Sequence, residues 1–178
     1  LETGAQIGDH GMLVVSGQYI DMARELQPNM NMMANGDFQD DINLRMRTRY
    51  SFDRGSTSWY LQYAYLADEI NFNGGLTRSR QHVMRATLEQ QLSQKLKFSL
   101  AADNSFVEVN GEFYTDRRAT ETRTNIWGSF MATPAPWLTL SANLRQGFHP
   151  IYEVPLSPSL GAEVQLQEST NFDQAISL

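Results

Sequence analysis

The sequence has 178 residues, of which 41% are hydrophobic, and it carries a formal net charge of -6. This length suits one domain, and no run approaches the roughly 18 consecutive apolar residues that a membrane-spanning helix needs. The absence of cysteine excludes disulfides and thiolate metal sites. The negative net charge argues against nucleic acid as a partner.

Alternating apolar and polar residues predict eight strands, because a period of two gives a β-strand two chemically different faces. The pattern is clearest over 42–52, where apolar residues or Thr alternate with Asn, Arg or Ser. The predicted strands span 11–20, 41–52, 58–67, 81–91, 96–106, 121–132, 137–147 and 171–178.

The predicted connections alternate in length. Long polar loops are expected at 21–40, 68–80, 107–120 and 148–170, and short turns at 53–57, 92–95 and 133–136. Aromatic residues lie beside the short turns, namely Tyr50, Phe52, Trp59, Phe130 and Trp137, and Tyr63 and Tyr65 lie toward the opposite strand end. Both features are typical of an outer-membrane barrel.

We therefore predict an all-β, antiparallel, up-and-down transmembrane β-barrel. The alternatives are a complete eight-stranded structural or adhesive barrel, and a soluble β-domain that binds an apolar ligand inside.

Gly147, Phe148 and Pro150 end one predicted strand, Glu153 follows in the loop, and Leu166 and Glu168 precede the next strand. In this order they resemble the distal barrel of TonB-dependent outer-membrane receptors, in which Gly-Phe-Arg-x-Pro, Glu-Leu and Leu-x-Pro-Glu follow one another. Three positions depart from that pattern. His149 replaces Arg, Val154 replaces Leu, and Gln167 stands where Pro is expected.

The resemblance implies a 22-stranded barrel with an N-terminal plug domain and a box that engages TonB, the energising inner-membrane partner. Residues 1–178 have room for about eight strands and contain no segment like a plug, so we expect one barrel segment without a second domain. The chain begins at Leu1 without a signal segment and ends at Leu178 within a predicted strand. We therefore expect a piece of a larger receptor in the bacterial outer membrane.

The function that the resemblance implies is uptake of a scarce nutrient, such as an iron chelate, a cobalamin-like ligand or a glycan. The expected partners are outer-membrane lipid, the small-molecule nutrient, the plug domain and TonB. Candidate ligand residues lie in the outer loops, where flexible thioethers and aromatic rings suit either ligand contact or loop packing. They are Met30, Met32, Met33, Phe72, Tyr114 and His149.

Four arginines predict a basic stripe in the lumen, namely Arg45, Arg47, Arg49 and Arg145. Their guanidinium groups would attract an anionic ligand, dock the plug, or pair with carboxylates of neighbouring strands. Asp37, Asp40 and Asp41 are weak Ca²⁺ candidates, since their spacing is not that of a calcium loop and solvated loop charge also explains them. No catalytic or cofactor motif is recognised, so we expect no cofactor and no enzymatic activity.

Overall fold

The computed structural model describes residues 1–26, 37–112 and 117–165. These ranges form nine strands in one antiparallel sheet whose spatial order follows the sequence, which confirms the predicted all-β up-and-down fold. The strands are β1 Glu2–Ile7, β2 Gly11–Leu26, β3 Asp37–Arg54, β4 Thr57–Phe72, β5 Gly75–Ser93, β6 Leu96–Gly111, β7 Arg118–Ala135, β8 Leu138–Phe148 and β9 Ser157–Val164. Within these ranges, no helix has the length and apolar character needed to cross a bilayer.

Seven predicted strands correspond to β2 to β8, but β2 to β7 all extend further than the alternating pattern indicates. The long loop predicted at 68–80 is wrong, because β4 and β5 are joined by a turn of two residues. Asn73 and Gly74 form it with φ values of 49° and 85°, the conformation that matches the twist of a tight hairpin. Phe72 therefore ends a strand instead of lying in a loop.

The sequence pattern misses both edge strands. β9 lies inside the loop predicted at 148–170, and its burial pattern is exposed throughout. Pro158 interrupts its alternating pattern, and proline is tolerated in a strand at the sheet edge because it need not donate to a ladder. The predicted strand 171–178 lies outside the described residues, as does the connection between β2 and β3.

Connections differ in length between the two ends of the sheet. At one end, called here the turn end, the strands are joined by residues 8–10, 55–56, 94–95 and 136–137. At the opposite end, called here the loop end, they are joined by residues 27–36, 73–74, 112–117 and 149–156. The predicted alternation of short and long connections therefore holds except at 73–74.

The register gives the sheet two faces of different chemistry, because directly opposed residues of neighbouring strands share a face. One face, called here the apolar face, carries Leu44, Met46, Tyr50, Leu61, Tyr63, Met84, Leu100, Ile126 and Leu144. The other, called here the polar face, carries Arg45, Arg47, Arg49, Gln62, Arg85, Asp103, Asn125, Trp127 and Arg145.

In β4 to β7 the polar face is the more sheltered of the two. In β4, Gln62 is half-buried, whereas Leu61 and Tyr63 beside it are exposed. In β6, Ala101 on the polar face is 4% exposed and Leu100 on the apolar face is 43% exposed. Ala101 is the only buried hydrophobic side chain in the described part of the chain. A soluble sheet buries its apolar face and leaves the polar face in water, whereas in β4 to β7 the apolar face is the more exposed one.

Aromatic side chains mark the turn end of the apolar face. The rings of Phe52 and Trp59 stack with centroids 5.7 Å apart, and Tyr50 lies 5.4 Å from Trp59. Phe130 opposes Phe98 on the same face, beside the next turns along the sheet. These side chains form the aromatic girdle that the sequence predicts at this end.

A second aromatic cluster lies on the apolar face near the middle of β4 and β5. Tyr63 Oη is 2.8 Å from His82 Nδ1, and the Tyr65 and His82 rings are 5.1 Å apart. Charged residues follow beyond this cluster, where Arg78 Nε lies 2.7 Å from Glu69 Oε2. From Trp59 to Glu69 the apolar band thus extends over ten residue-to-residue steps of β4, about 33 Å of strand.

Candidate functional site

Two of the predicted basic residues on β3 pair with carboxylates. Arg45 Nη1 lies 2.6 Å from Asp68 Oδ1 on β4, and Arg47 Nη2 lies 3.1 Å from Glu2 Oε2 near the β1 edge. Arg45 also donates to the main-chain oxygen of Ala67. These contacts agree with one of the three uses predicted for the basic stripe, in which its arginines pair with carboxylates of neighbouring strands.

Arg49 and Arg145 form no ion pair with any carboxylate in the described ranges. The guanidinium carbon of Arg49 lies 4.1 Å from the ring centre of Tyr60, close enough for a cation–π contact. Arg145 shares the polar face with Arg49, but β4, β5, β6 and β7 separate their strands. The structure therefore does not bring the four predicted arginines into one cluster.

Arg145 lines a pocket of about 540 Å³ on the polar face of β5 to β9. Trp127, directly opposed to Arg145 in the register, lies in this pocket, and Arg85 approaches from β5 with its guanidinium carbon 5.9 Å from the indole centre. Asn125 Nδ2 donates to Asp103 Oδ1 at 2.9 Å, and Arg145 Nη2 donates to Asn125 Oδ1 at 3.2 Å. We call this site the Trp127 pocket.

The Trp127 pocket is not predicted from the sequence. Arg85 and Trp127 are far apart along the chain, and the register of β5, β6 and β7 brings them together. The only local signal is an aromatic residue at a position where the strand pattern calls for a polar side chain. Trp127 lies between Ile126 and Gly128, which belong to the apolar face.

The connection after β8 is organised around His149, a predicted ligand residue whose side chain is 5% exposed. The Ile151 N–H donates to His149 Nδ1 at 3.2 Å, so the ring proton lies on Nε2. That Nε2 is 3.1 Å from Glu121 Oε1 on β7. The Tyr152 ring stacks on the imidazole with centroids 3.8 Å apart. His149 thus uses both nitrogens to hold the connection to the sheet.

Glu121 is the anchor for this connection. Arg123 donates to the same carboxylate. Glu121 lies toward the loop end of β7, opposite Val107 of β6. Gln146 closes the connection from the other side, since its Nε2 donates to Val154 O at 2.8 Å. The resulting pocket, formed by residues 146–154, has a volume of about 440 Å³.

Asp40 and Asp41 lie on β3 and point to opposite faces, so they do not converge on one ion. Asp41 Oδ2 is 3.0 Å from Arg24 Nη2, and its Oδ1 accepts a bond from Gln39 Nε2 at 2.7 Å. The side chain of Asp37 lies outside the described part. Among the described side chains, no three His, Cys, Asp or Glu residues are placed to hold a metal.

The remaining predicted ligand residues are only partly covered by the structure. Met30, Met32, Met33 and Tyr114 lie outside the described residues. Phe72 ends β4 on the polar face, opposite Gln39 and near the loop end. It is separated from His149 by β5, β6 and β7, so the two do not share a site.

No protein-family model and no curated protein matches this sequence. Solved structures do match. The siderophore receptor PirA from Pseudomonas aeruginosa aligns with a TM-score of 0.64 at 12% identity, covering 94% of this chain and 36% of PirA. The trimer form of OmpT, an outer membrane protein of Vibrio cholerae, aligns with a TM-score of 0.57 at 14% identity, covering 90% of this chain and 52% of OmpT. A second OmpT structure gives 0.53 at 15% identity.

The fold is that of an outer-membrane β-barrel. The chain spans about half the length of OmpT and about a third of PirA. In such barrels the interior is polar and an apolar band faces outward, which agrees with the sheltered polar face and the exposed apolar face of this sheet. At these identities the likeness extends to the fold alone.

The sequence predicts that this chain has no enzymatic activity, and this exclusion is wrong. The prediction rests on the absence of a recognised motif, whereas the observed fold is shared with OmpT and barrels of one fold carry different activities. Enzymatic activity is therefore compatible with the structure.

Proposed function

We propose that this chain forms part of the barrel wall of a bacterial outer-membrane receptor that takes up a scarce nutrient. In this proposal the apolar face contacts membrane lipid and the polar face lines the lumen. The nutrient is an iron chelate, a cobalamin-like ligand or a glycan, and TonB drives its uptake through a plug domain. Residues 1–178 form one barrel segment within that receptor.

The inverted exposure of the two faces is the observation that carries the membrane part of the proposal. About 33 Å of strand between Trp59 and Glu69, tilted by about 40°, gives an apolar band about 25 Å tall. This is the height of the outward apolar band of outer-membrane barrels. The Phe52–Trp59 stack lies at its turn-end border, where an aromatic girdle is expected.

Three observations support a large receptor over a complete small barrel. Among the described strands, β1 and β9 are the two edges of the sheet and do not pair with each other, so the sheet is open. PirA gives both the higher TM-score and the higher coverage of this chain. The Gly147-Phe148 pair that resembles the receptor family also ends β8 at the loop end, where a ligand would enter.

The soluble alternative receives less support. A soluble β-domain would need an apolar core around its ligand, and the described residues contain one buried hydrophobic side chain, Ala101. The large side chains of the apolar face are instead exposed, with Met84 at 59% and Leu61 at 53%. Exposing such a surface to water is unfavourable in free energy, whereas contact with lipid is compatible with it.

Uptake by whole cells tests the proposal. A strain lacking the complete gene, the complemented strain and a TonB-deficient strain are given a radiolabelled hydroxamate iron chelate, cyanocobalamin or a maltooligosaccharide. We expect one probe to accumulate only when both the gene and TonB are present. Equal uptake in the TonB-deficient strain would contradict energy coupling, and recovery of the protein in the soluble fraction would contradict the membrane placement.

A further inference from the structure

We infer that the Trp127 pocket binds an acidic sugar, a ring with hydroxyl groups and one carboxylate. The inference deepens the proposed function, on which it rests for placing the polar face in the lumen. It is carried by the juxtaposition of one aromatic surface, two cations without carboxylate partners, and a set of small hydrogen-bonding side chains in one pocket.

The two cations are Arg85 and Arg145. Neither forms an ion pair with a carboxylate in the described ranges, whereas Arg45 and Arg47 of the predicted basic stripe both do. The one carboxylate that lines the pocket, Asp103, accepts its hydrogen bond from Asn125. The pocket therefore has a net positive charge that an anion would neutralise, and guanidinium groups bind carboxylates through paired hydrogen bonds.

Arg145 is oriented before any ligand arrives. Its Nη2 donates to Asn125 Oδ1 at 3.2 Å, and Asn125 is itself fixed by its bond to Asp103. A side chain held in this way loses less conformational entropy when it binds an anion. Its remaining guanidinium donors are available to a carboxylate.

The shape and the polar lining favour a sugar over an aromatic acid. The half-buried indole of Trp127 offers a flat surface on which the C–H face of a pyranose ring can lie. On the opposite side of the pocket, Asn143 Nδ2 donates to Ser159 Oγ at 3.3 Å, and Ser157 opposes Arg145 in the register. These amide and hydroxyl groups can exchange hydrogen bonds with ring hydroxyls. A volume of about 540 Å³ suits a ligand of one or two sugar rings.

Tryptophan fluorescence of the intact purified protein in detergent tests the inference, with D-glucuronate, D-glucose and benzoate as probes. We expect saturable quenching by glucuronate, at least about ten-fold weaker binding of glucose and benzoate, and loss of the signal in Trp127→Phe. Arg145→Gln and Arg85→Gln should each weaken glucuronate binding by about ten-fold or more. Arg54→Gln, at the turn end, is the matched control and should leave the affinity unchanged.

The outcomes separate this inference from the proposed function. Equal affinity for glucose and glucuronate, or glucuronate binding that survives Arg145→Gln, would overturn it. Absence of quenching by all three probes in a protein whose β-sheet circular dichroism is intact would also overturn it. Because binding is measured without cells or TonB, none of these results depends on uptake, and a failed uptake assay would leave the binding result standing.

Discussion

Phe52 and Trp59 are directly opposed across the β3–β4 hairpin, and their rings stack with centroids 5.7 Å apart and an angle of 22° between their planes. Both lie on the apolar face within a few residues of the turn at 55–56. Stacked aromatic pairs add about 0.5–1.5 kcal/mol beyond the area that they bury. The pair therefore stabilises the hairpin and fixes the turn-end border of the apolar band at the same level on both strands.

The first prediction concerns Met84, the midpoint of β5 and 59% exposed on the apolar face. If this face contacts lipid, Met84→Arg places a charge near the middle of the membrane and should lower the free energy of unfolding by about 2–4 kcal/mol. Val83→Arg is the matched control, because Val83 opposes Ala64 and Ser105 on the polar face. Its charge should remain in the aqueous lumen and change stability by less than about 1 kcal/mol.

Urea unfolding of both variants in phospholipid vesicles provides the measurement. The larger loss of stability is thus expected at Met84, although its side chain is the more exposed of the two. Equal costs for the two variants, or a larger cost for Val83→Arg, would show that the apolar face does not contact lipid.

The second prediction concerns Gly11, which is covered by an aromatic ring. A Cβ at this position would lie 2.5 Å from Tyr50 Oη and 2.5 Å from Ile7 O, whereas a Cβ at Gly17 meets nothing nearer than Arg45 O at 3.8 Å. Gly11→Ala should therefore destabilise the protein by about 1–3 kcal/mol through overpacking, and Gly17→Ala by much less. Adding Tyr50→Phe should recover part of the loss, since it removes one of the two clashes. No recovery in urea unfolding would mean that the clash with the Ile7 main chain dominates.

The sequence predicts the fold well wherever the two faces differ in polarity. In β3, Arg45 and Arg47 alternate with Met46 and Thr48, so both the strand and the assignment of its faces are visible. Beyond the apolar band this signal is lost in β4, because the apolar face carries Glu69 and the polar face carries Ile70 and Phe72. Asp68 and Glu69 therefore suggest a loop, although the strand continues to Phe72.

The candidate site is less accessible to sequence reasoning. His149 is identified from its position in the receptor-like motif, but its two bonds, to Glu121 and to the Ile151 N–H, depend on how the connection folds back onto β7. Arg85 and Trp127 come together only through the register of three strands. Composition and spacing indicate which residues can bind a ligand, and the register decides which of them meet.

The third prediction concerns the connection 149–156. His149→Phe preserves a ring that can stack on Tyr152 but removes the bonds to Glu121 and to the Ile151 N–H. Each lost bond contributes about 0.5–1.5 kcal/mol, so amide hydrogen exchange over 150–154 should accelerate by ten-fold or more while β7 and β8 stay protected. Tyr152→Leu is the counterpart that removes the stacking and keeps both bonds. Unchanged exchange in His149→Phe would mean that stacking alone holds the connection.

The last prediction concerns Glu108, which lies on the loop-end side of the apolar band, beyond Phe106. Asn110 Nδ2 donates to Glu108 Oε1 at 2.9 Å, and Arg118 Nη2 lies 3.2 Å from Oε2. The bond from Asn110 is the largest cause that lowers the pKa of Glu108, and the charge of Arg118 adds to it. The folded carboxylate therefore stays ionised to a lower pH than it does in the unfolded chain.

A carboxyl whose pKa is lowered on folding contributes stability above its ordinary pKa of about 4.3, and that contribution is lost as the pH falls through the folded value. Hydrogen exchange at the ends of β6 and β7 should consequently accelerate below about pH 4. Asn110→Ala removes the largest stabilising contact, so both the pKa of Glu108 and the onset of the acceleration should move upward. Glu108→Gln cannot titrate and should show neither change. Carbon-13 NMR of labelled glutamate carboxyls would follow the titration of Glu108 directly. An identical pKa of Glu108 in the native protein and in Asn110→Ala would disprove that the bond from Asn110 lowers it.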